Sequence, residues 1–297
     1  DREKYYTGVI PEDFILDKDD LIVAMTEQAE GLLGSSAIIP QSNIYLHNQR
    51  LGRIMDLDES RLDRVFLYYL FNTQYVRKQI YATANGAKVR HTSPSRIYDV
   101  RFTLLSLPTQ HKIASILSAY DDLIENNTRR IKILEEMAQA IYREWFVHFR
   151  FPGYENVPMV DSELGQIPQG WEVKRLGEIL IANPSVRLTR GLEYPFVAME
   201  EVSEDKRFVT GLELKEYQGG GTKFSVGDTL FARITPSLEH GKISEFRPLT
   251  ESDSFGSTEF FVFRAIPDVS VQEYIFRLSR SYRIRRLAEN SMVGASG

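Results

Sequence analysis

Asp20-Leu21-Ile22-Val23-Ala24 and Asp228-Thr229-Leu230-Phe231-Ala232 decide the fold, because they are one pattern written twice at an offset of 208 residues. Further on, Tyr75 matches Tyr282 and Ile80 matches Leu287 at 207, and Gly86-Ala87 matches Gly294-Ala295 at 208. Solenoid units run about 20–50 residues, so a repeat of this length is a duplicated domain. Each copy presents an apolar run of strand type, Leu21 to Met25 and Leu230 to Ile234. A glycine-containing loop follows (Gly31 to Ser36; His240-Gly241), then an aromatic-rich helix ending on arginines. The fold class expected is α/β, with two duplicated domains. The start of copy two, from about Leu164 to Gly227, would correspond to positions before Asp1, and the segment after Gly86 has no counterpart after Gly297. Both domains are therefore expected to be partial in this chain.

Between the copies, Ile113, Leu117, Tyr120, Ile124, Asn127, Ile131, Leu134, Ala138, Ile141 and Trp145 alternate spacings of four and three. That heptad pattern predicts a long helix with a coiled-coil seam. Thr109 serves as the expected N-cap, and Pro152-Gly153 forbids continuation. At 1.5 Å per residue, some 38 residues make a rod roughly 57 Å long. Asn127 is the kind of polar seam residue that fixes register and partner number. Acids and bases are balanced between Lys112 and Arg150, six of each, as in a solvated helix with a narrow apolar stripe. The alternative is a long helix lying on the core of one domain. The domain organisation read from these features is 1–107, a central helix at 108–150, and 151–297.

The 297 residues can bury a sizeable core and suggest about two domains. No apolar stretch approaches the roughly 18 residues of a membrane span, so no membrane association is expected. The chain has no cysteine, which removes disulfides and thiolate metal sites and suits a cytoplasmic location. A net charge of −5 is unpromising for DNA binding, where Lys and Arg neutralise phosphates. The distribution is more telling. Arg77, Lys78, Lys88, Arg90, Arg96 and Arg101 stand against the single acid Asp99, and five arginines fall between Arg277 and Arg286 with no acid among them.

The segment Leu107-Pro108-Thr109-Gln110-His111-Lys112-Ile113-Ala114-Ser115-Ile116-Leu117, followed by Asp121-Asp122-Leu123-Ile124-Glu125-Asn126 and Met137-Ala138-Gln139-Ala140, resembles the central region of Type I restriction-modification specificity subunits. Trp145-Phe146-Val147, then Leu164-Gly165-Gln166-Ile167-Pro168-Gln169-Gly170-Trp171-Glu172-Val173 and Leu176-Gly177, resemble the junction into that family's second target recognition domain. The resemblance implies two target recognition domains, each reading half of a split double-stranded DNA target, joined by the long helix. Two methyltransferase subunits and a restriction subunit that translocates DNA are the partners it implies, with no cofactor held by this chain. One departure is visible: His148 and Arg150 flank Phe149 where the family often has acids.

Catalytic motifs are weak by comparison. Asn183-Pro184-Ser185 lacks the second proline and the aromatic of an adenine methyltransferase motif and reads as a turn. Gly219-Gly220-Gly221 does not lead from a strand into a helix, so it reads as a loop rather than a cofactor cradle. There is no Walker A sequence. Glu213-Leu214-Lys215 supplies the last element of a metal-dependent nuclease motif without a persuasive upstream Pro-Asp. The five histidines, His47, His91, His111, His148 and His240, show no metal-site spacing.

The chain is accordingly expected to be a non-catalytic DNA reader. The alternatives are a self-contained restriction endonuclease with a specificity-type module, and a coiled-coil adaptor without a DNA role. Candidate DNA contacts in copy one are Thr26, Ser35, Arg77, Lys78, Lys88, Arg90, His91 and Ser93. In copy two they are Arg233, Thr235, Ser237, His240, Lys242, Thr258, Arg283 and Arg285. Arg and Lys can hold guanine edges or phosphates, while Ser and Thr serve as phosphate contacts or adaptable base partners.

Overall fold

The computed structural model describes residues 5–27, 31–86 and 89–291. It divides into two compact units, 1–127 and 128–297. Lys88, Ala87, Gly294 and Ala295 lie outside the described residues. Among the described residues no helix is long and apolar enough to cross a membrane.

Unit one is built on a three-stranded antiparallel sheet, β1 (Leu21–Ala24), β2 (Ser36–Ile38) and β3 (Leu51–Ile54), in the order β2-β1-β3. Leu21 lies opposite both Ile38 and Ile54. Two helices, α1 (Arg64–Phe71) and α2 (Gln74–Ala82), cover one face, and a short α3 (Pro94–Tyr98) follows. Leu21, Val23, Leu33, Leu67, Phe71, Val76 and Ile80 form the core under those helices. α4 (Leu107–Phe146) begins in this unit.

Unit two continues α4 and adds a hairpin of β4 (Met159–Ser162) and β5 (Gly165–Pro168). A five-stranded sheet follows, ordered β6-β14-β11-β12-β8: β6 (Leu180–Ala182), β14 (Phe260–Ala265), β11 (Thr229–Ala232), β12 (Ile243–Phe246) and β8 (Phe208–Val209). A four-stranded sheet is ordered β10-β13-β7-β9: β10 (Thr222–Phe224), β13 (Ser254–Gly256), β7 (Glu193–Val197) and β9 (Glu213–Glu216). Strands of both sheets contribute Val197, Val209, Phe224, Leu230, Phe246, Phe260 and Val262 to one core. On the opposite face, α5 (Gln272–Ser279) and α6 (Tyr282–Asn290) enclose Phe231, Leu238, Ile243 and Phe276. β11 is thus buried on both faces, whereas the residues of β1 alternate between buried and half-buried.

The repeat is visible in three dimensions. β14-β11-β12 reproduces β3-β1-β2: Thr229, the counterpart of Leu21, lies opposite Glu245 and Phe263 as Leu21 lies opposite Ile38 and Ile54. In each copy the single aromatic-rich helix expected from sequence is two helices. The second is started by a hydroxyl N-cap, Thr73 accepting from Val76 N–H and Ser281 from Ile284 N–H. These caps are 208 residues apart, which corrects the offset of 207 read from the tyrosines: Ile80 corresponds to Ala288, at the core, while Leu287 is exposed.

A second shared device opens the central strand. Asp20 accepts from the Asp17 N–H and pairs with Arg53 of β3 at 2.8 Å. Asp228 accepts from the Ser225 N–H and holds Arg264 of β14 through two bonds of 2.7 Å. The Asp228 side chain is almost fully buried, so its charge is tolerable only because it is paired.

α4 is a single helix of 40 residues, about 60 Å long. Its N-terminus is not capped by Thr109. Ser106 precedes the first turn, its carbonyl accepting from the Thr109 and Gln110 N–H groups and its hydroxyl within 2.9 Å of the Thr109 hydroxyl, because Pro108 already fits the first turn. The helix ends before Pro152, where Phe149 takes a left-handed conformation and Arg150 folds back onto Glu144.

One face of α4 is anchored. In unit one, Gln110 is fully buried; its amide donates to the Arg61 and Leu105 carbonyls at 2.9 and 2.8 Å and accepts from the Asp63 N–H at 2.9 Å. Ala114 is buried beyond it, and Tyr69 donates to Asp121 at 2.7 Å. In unit two, Glu135 meets Arg277 at 2.6 Å and the Tyr142 ring packs on Tyr274. Burial pushes the Tyr142 hydroxyl far above the usual phenol range. Trp171 gathers Phe146, Phe149 and Phe151 at the helix end.

Arg264→Ala should lower the stability of unit two by about 3–5 kcal/mol, the usual consequence of leaving a buried charge without its partner, here the Asp228 carboxylate. Urea unfolding followed by tryptophan fluorescence tests this, and a loss below about 1 kcal/mol would contradict a structural role for the pair.

Candidate nucleic-acid interface

In unit one the candidates converge where residues 25–27 run beside 90–92. Glu27 N–H donates to the Arg90 carbonyl and Thr92 N–H to the Met25 carbonyl, both at 2.8 Å. Asn85 and His91 exchange backbone bonds of 2.9 and 2.8 Å, and Gly86 takes a positive φ of 106° as the chain turns away from Asn85. A Cβ at Gly86 would lie 2.1 Å from the Val89 carbonyl oxygen, so this turn requires glycine. The ladder places the Thr26 hydroxyl 3.1 Å from His91 Nδ1. The Arg90 guanidinium lies 4.0 Å over the Tyr81 ring. Ser93 precedes α3, its hydroxyl 2.9 Å from that of Ser95. Thr26, Arg90, His91 and Ser93 are therefore neighbours, although 67 positions separate the first from the last.

The remaining copy-one candidates are placed differently. Ser35 donates its hydroxyl to the Leu32 carbonyl, shaping the loop between β1 and β2. Lys78 is exposed on α2, and Arg77 reaches the same loop, its Nη2 being 3.9 Å from where a Gly31 Cβ would sit.

In unit two, the loop from Arg233 to Lys242 joins β11 to β12, in the position that the β1–β2 loop holds in unit one. Arg233, Thr235 and His240 are exposed on it. Ser237 is buried and the Lys242 amine donates to the Met199 carbonyl at 3.2 Å, so both face inward. Glu259 collects Arg233 at 3.1 Å and the Thr258 hydroxyl at 3.3 Å. This ion pair is solvent-exposed and contributes no more than about 1 kcal/mol, so Arg233 can exchange it for another anionic or guanine partner. Arg283 is exposed on α6, whereas Arg285 donates to the Glu239 carbonyl at 2.8 Å.

Arg277 and Arg280 line a cavity of about 400 Å³ with His240 and Arg285. Burial, reinforced by the charge of Arg277, lowers the pKa of Arg280 below the ordinary guanidinium value. The side chains that set the candidates in place, Tyr81 under Arg90 and Glu259 beside Arg233, were missed in the sequence. Their pairings arise from tertiary structure and leave no local pattern.

The weaker catalytic motifs have structural partners. Asn183 ends β6, its N–H donating to the Val262 carbonyl and its side chain accepting from the Val262 N–H. Gly219, Gly220 and Gly221 all have positive φ in the loop between β9 and β10. Glu213 and Lys215 pair with each other at 3.1 Å on an edge strand.

Residues 11–136 match the family model described as the Type I restriction modification DNA specificity domain. The chain is 33% identical over 190 residues to the MjaIX specificity subunit of Methanocaldococcus jannaschii, an alignment covering 60% of this chain and 44% of that one. It is 32% identical over 141 residues to the EcoEI specificity subunit of Escherichia coli, covering 46% and 24%. The chain thus spans less than half the length of these relatives. A solved S subunit from M. genitalium superposes over 94% of this chain and 68% of its own with a TM-score of 0.49 at 17% identity, too loose a likeness to add to the assignment. The chain carries a Type I restriction-modification DNA specificity domain and groups by sequence with the specificity subunits of those systems.

Proposed function

We propose that this chain reads a bipartite double-stranded DNA target, one half with each copy, and leaves methyl transfer and cleavage to other subunits. The observation that carries this reading is the strand–loop–helix module repeated in both units, with basic and hydroxyl side chains close to the end of its central strand in each. The domain organisation of 1–107, 108–150 and 151–297 belongs to the same proposal, with 1–107 and 151–297 as parts of two target recognition domains. So do the contacts: Thr26, Arg90, His91 and Ser93 face one half-site, and Arg233, Thr235, His240 and Thr258 the other. Lys78, Lys88 and Arg283 supply phosphate contacts, which orient the protein without reading bases. No cofactor or metal is required of this chain.

The helix supplies the second half of the proposal. Leu117, Tyr120, Ile131, Leu134, Ile141 and Trp145 are exposed along α4, between 37% and 63%. They lie on the seam, one position before the anchored residues Ser118, Asp121, Glu135, Tyr142 and Phe146. This stripe suits an antiparallel partner helix that would fix the spacing between half-sites. Two methyltransferase subunits would dock around the central region and a restriction subunit would join the assembly, all within the cytoplasm.

Arg90→Ala should cost about 1–3 kcal/mol at one base pair of the copy-one half and relax the preference there. Arg233→Ala should do the same in the copy-two half, measured as binding to singly substituted duplexes. Shifts by both variants in the same half would contradict one copy per half. Arg283→Ala should instead flatten the slope of log affinity against log salt by about 0.9 with sequence preference unchanged. Replacing Ile131 and Leu134 together by Glu should leave the unfolding midpoint within a few degrees of wild type but abolish helix pairing, seen as loss of the assembled complex by sedimentation. An unchanged assembly would remove the stripe from the proposal.

A further inference from the structure

Among the arginines of α6, Arg285 is half-buried while Arg283 and Arg286 are exposed. Its Nη2 donates to the Glu239 carbonyl at 2.8 Å. Its Nε is buried and takes no hydrogen bond among the described residues. The guanidinium lies flat against Gly241: a Cβ built there would meet Cζ at 2.9 Å and the two Nη atoms at 3.0 and 3.2 Å. Gly241 also has a positive φ of 71°, a conformation that side chains disfavour. The loop is fixed from inside as well, since Leu238 is buried in the core that Ile284 and Ala288 of α6 pack against. Leu238 and Arg285 thus hold one turn of chain from two directions, and the exposed Thr235 and His240 project from that turn.

The repeat offers a looser counterpart. Arg77 lies 208 residues before Arg285 in the corresponding helix, and its guanidinium approaches Gly31, a positive-φ glycine in the corresponding loop. The cavity beside Arg285 favours no ion of its own, because its four lysine and arginine side chains face four carboxylates.

We infer that Arg285 is a positioning residue for DNA specificity: it clamps the β11–β12 loop through Glu239 and Gly241 and thereby sets the side chains that read one half-site, without itself touching phosphate. This rests on the DNA-reading proposal above. A clamp and a phosphate contact predict different things. A phosphate contact releases counterions and weakens all sequences alike, whereas a clamp alters which sequence is preferred and leaves the salt dependence in place.

The test uses the full-length protein assembled with its methyltransferase, and duplexes carrying its target as enriched from random sequence. Affinity is measured across a salt series for the target and for single substitutions in each half. Arg285→Ala should reduce discrimination in the copy-two half about tenfold, within what one well-placed base contact supplies. Discrimination in the other half and the salt slope should remain those of wild type. Gly241→Ala, which displaces the guanidinium, should reproduce that pattern, and Arg285→Lys should recover part of the discrimination by donating to Glu239 again. Should Arg285→Ala fail to fold, the lysine and alanine variants at 285 and 241 that do fold must still lose discrimination at unchanged slope. A slope flattened by about 0.9, or undiminished discrimination in these variants, overturns the inference. A wild-type complex with no sequence preference overturns the DNA-reading proposal itself, and the inference with it.

Discussion

A carboxylate at the opening of the central strand, tied to an arginine on the next strand, is the constraint on which both copies depend. Asp20 with Arg53, and Asp228 with Arg264, each join a turn N–H, a strand start and a neighbouring strand in one corner. Removing Arg264 would leave the Asp228 carboxylate buried without a partner, and in either copy a slip of register by one residue breaks the pair. With the start of the strand pinned, its end delivers the following residues to a fixed place. Those residues are Met25 and Thr26 in one unit and Arg233 onward in the other. The position of the candidate contacts is therefore a consequence of a polar pair at the far end of a four-residue strand.

The long helix meets two demands at once with faces one position apart. Gln110, Ala114, Glu135 and Tyr142 bind it to the units through buried polar and aromatic contacts. The neighbouring positions carry aliphatic side chains that no element of either unit covers fully. A helix required only to lie on a core would bury its broadest apolar stripe and leave the polar face to water. Here the anchored face is the more polar of the two, and the aliphatic one remains exposed. That inversion supports the second interface proposed along α4.

Much of this was legible in sequence because the physics was local or duplicated. The pattern around Asp20 and Asp228 identified the repeat, and the four-three spacing from Ile113 onward located the helix. The start of α4 lies earlier than Thr109 because proline is at home in a first turn, and the Ser106 carbonyl already accepts from the Thr109 and Gln110 N–H groups. The repeat offset was one residue wrong in the second helix because the tyrosines 75 and 282 were matched by identity. The caps at Thr73 and Ser281 are the reliable markers, since they fix which residues turn inward. Candidate contacts were recognisable only by residue type. Whether an arginine is exposed like Arg283, stacked like Arg90 or tethered like Arg285 depends on partners 9 to 46 residues distant, and single-sequence periodicity carries no information at that range.

The most direct measurement is the sequence that the protein, assembled with the methyltransferase subunits proposed for it, enriches from a pool of random duplexes. Two short specified blocks separated by an unspecified spacer of constant length are expected if each copy of the module reads one half and a helical spacer sets the distance. A single uninterrupted block, or two blocks at variable separation, would contradict it.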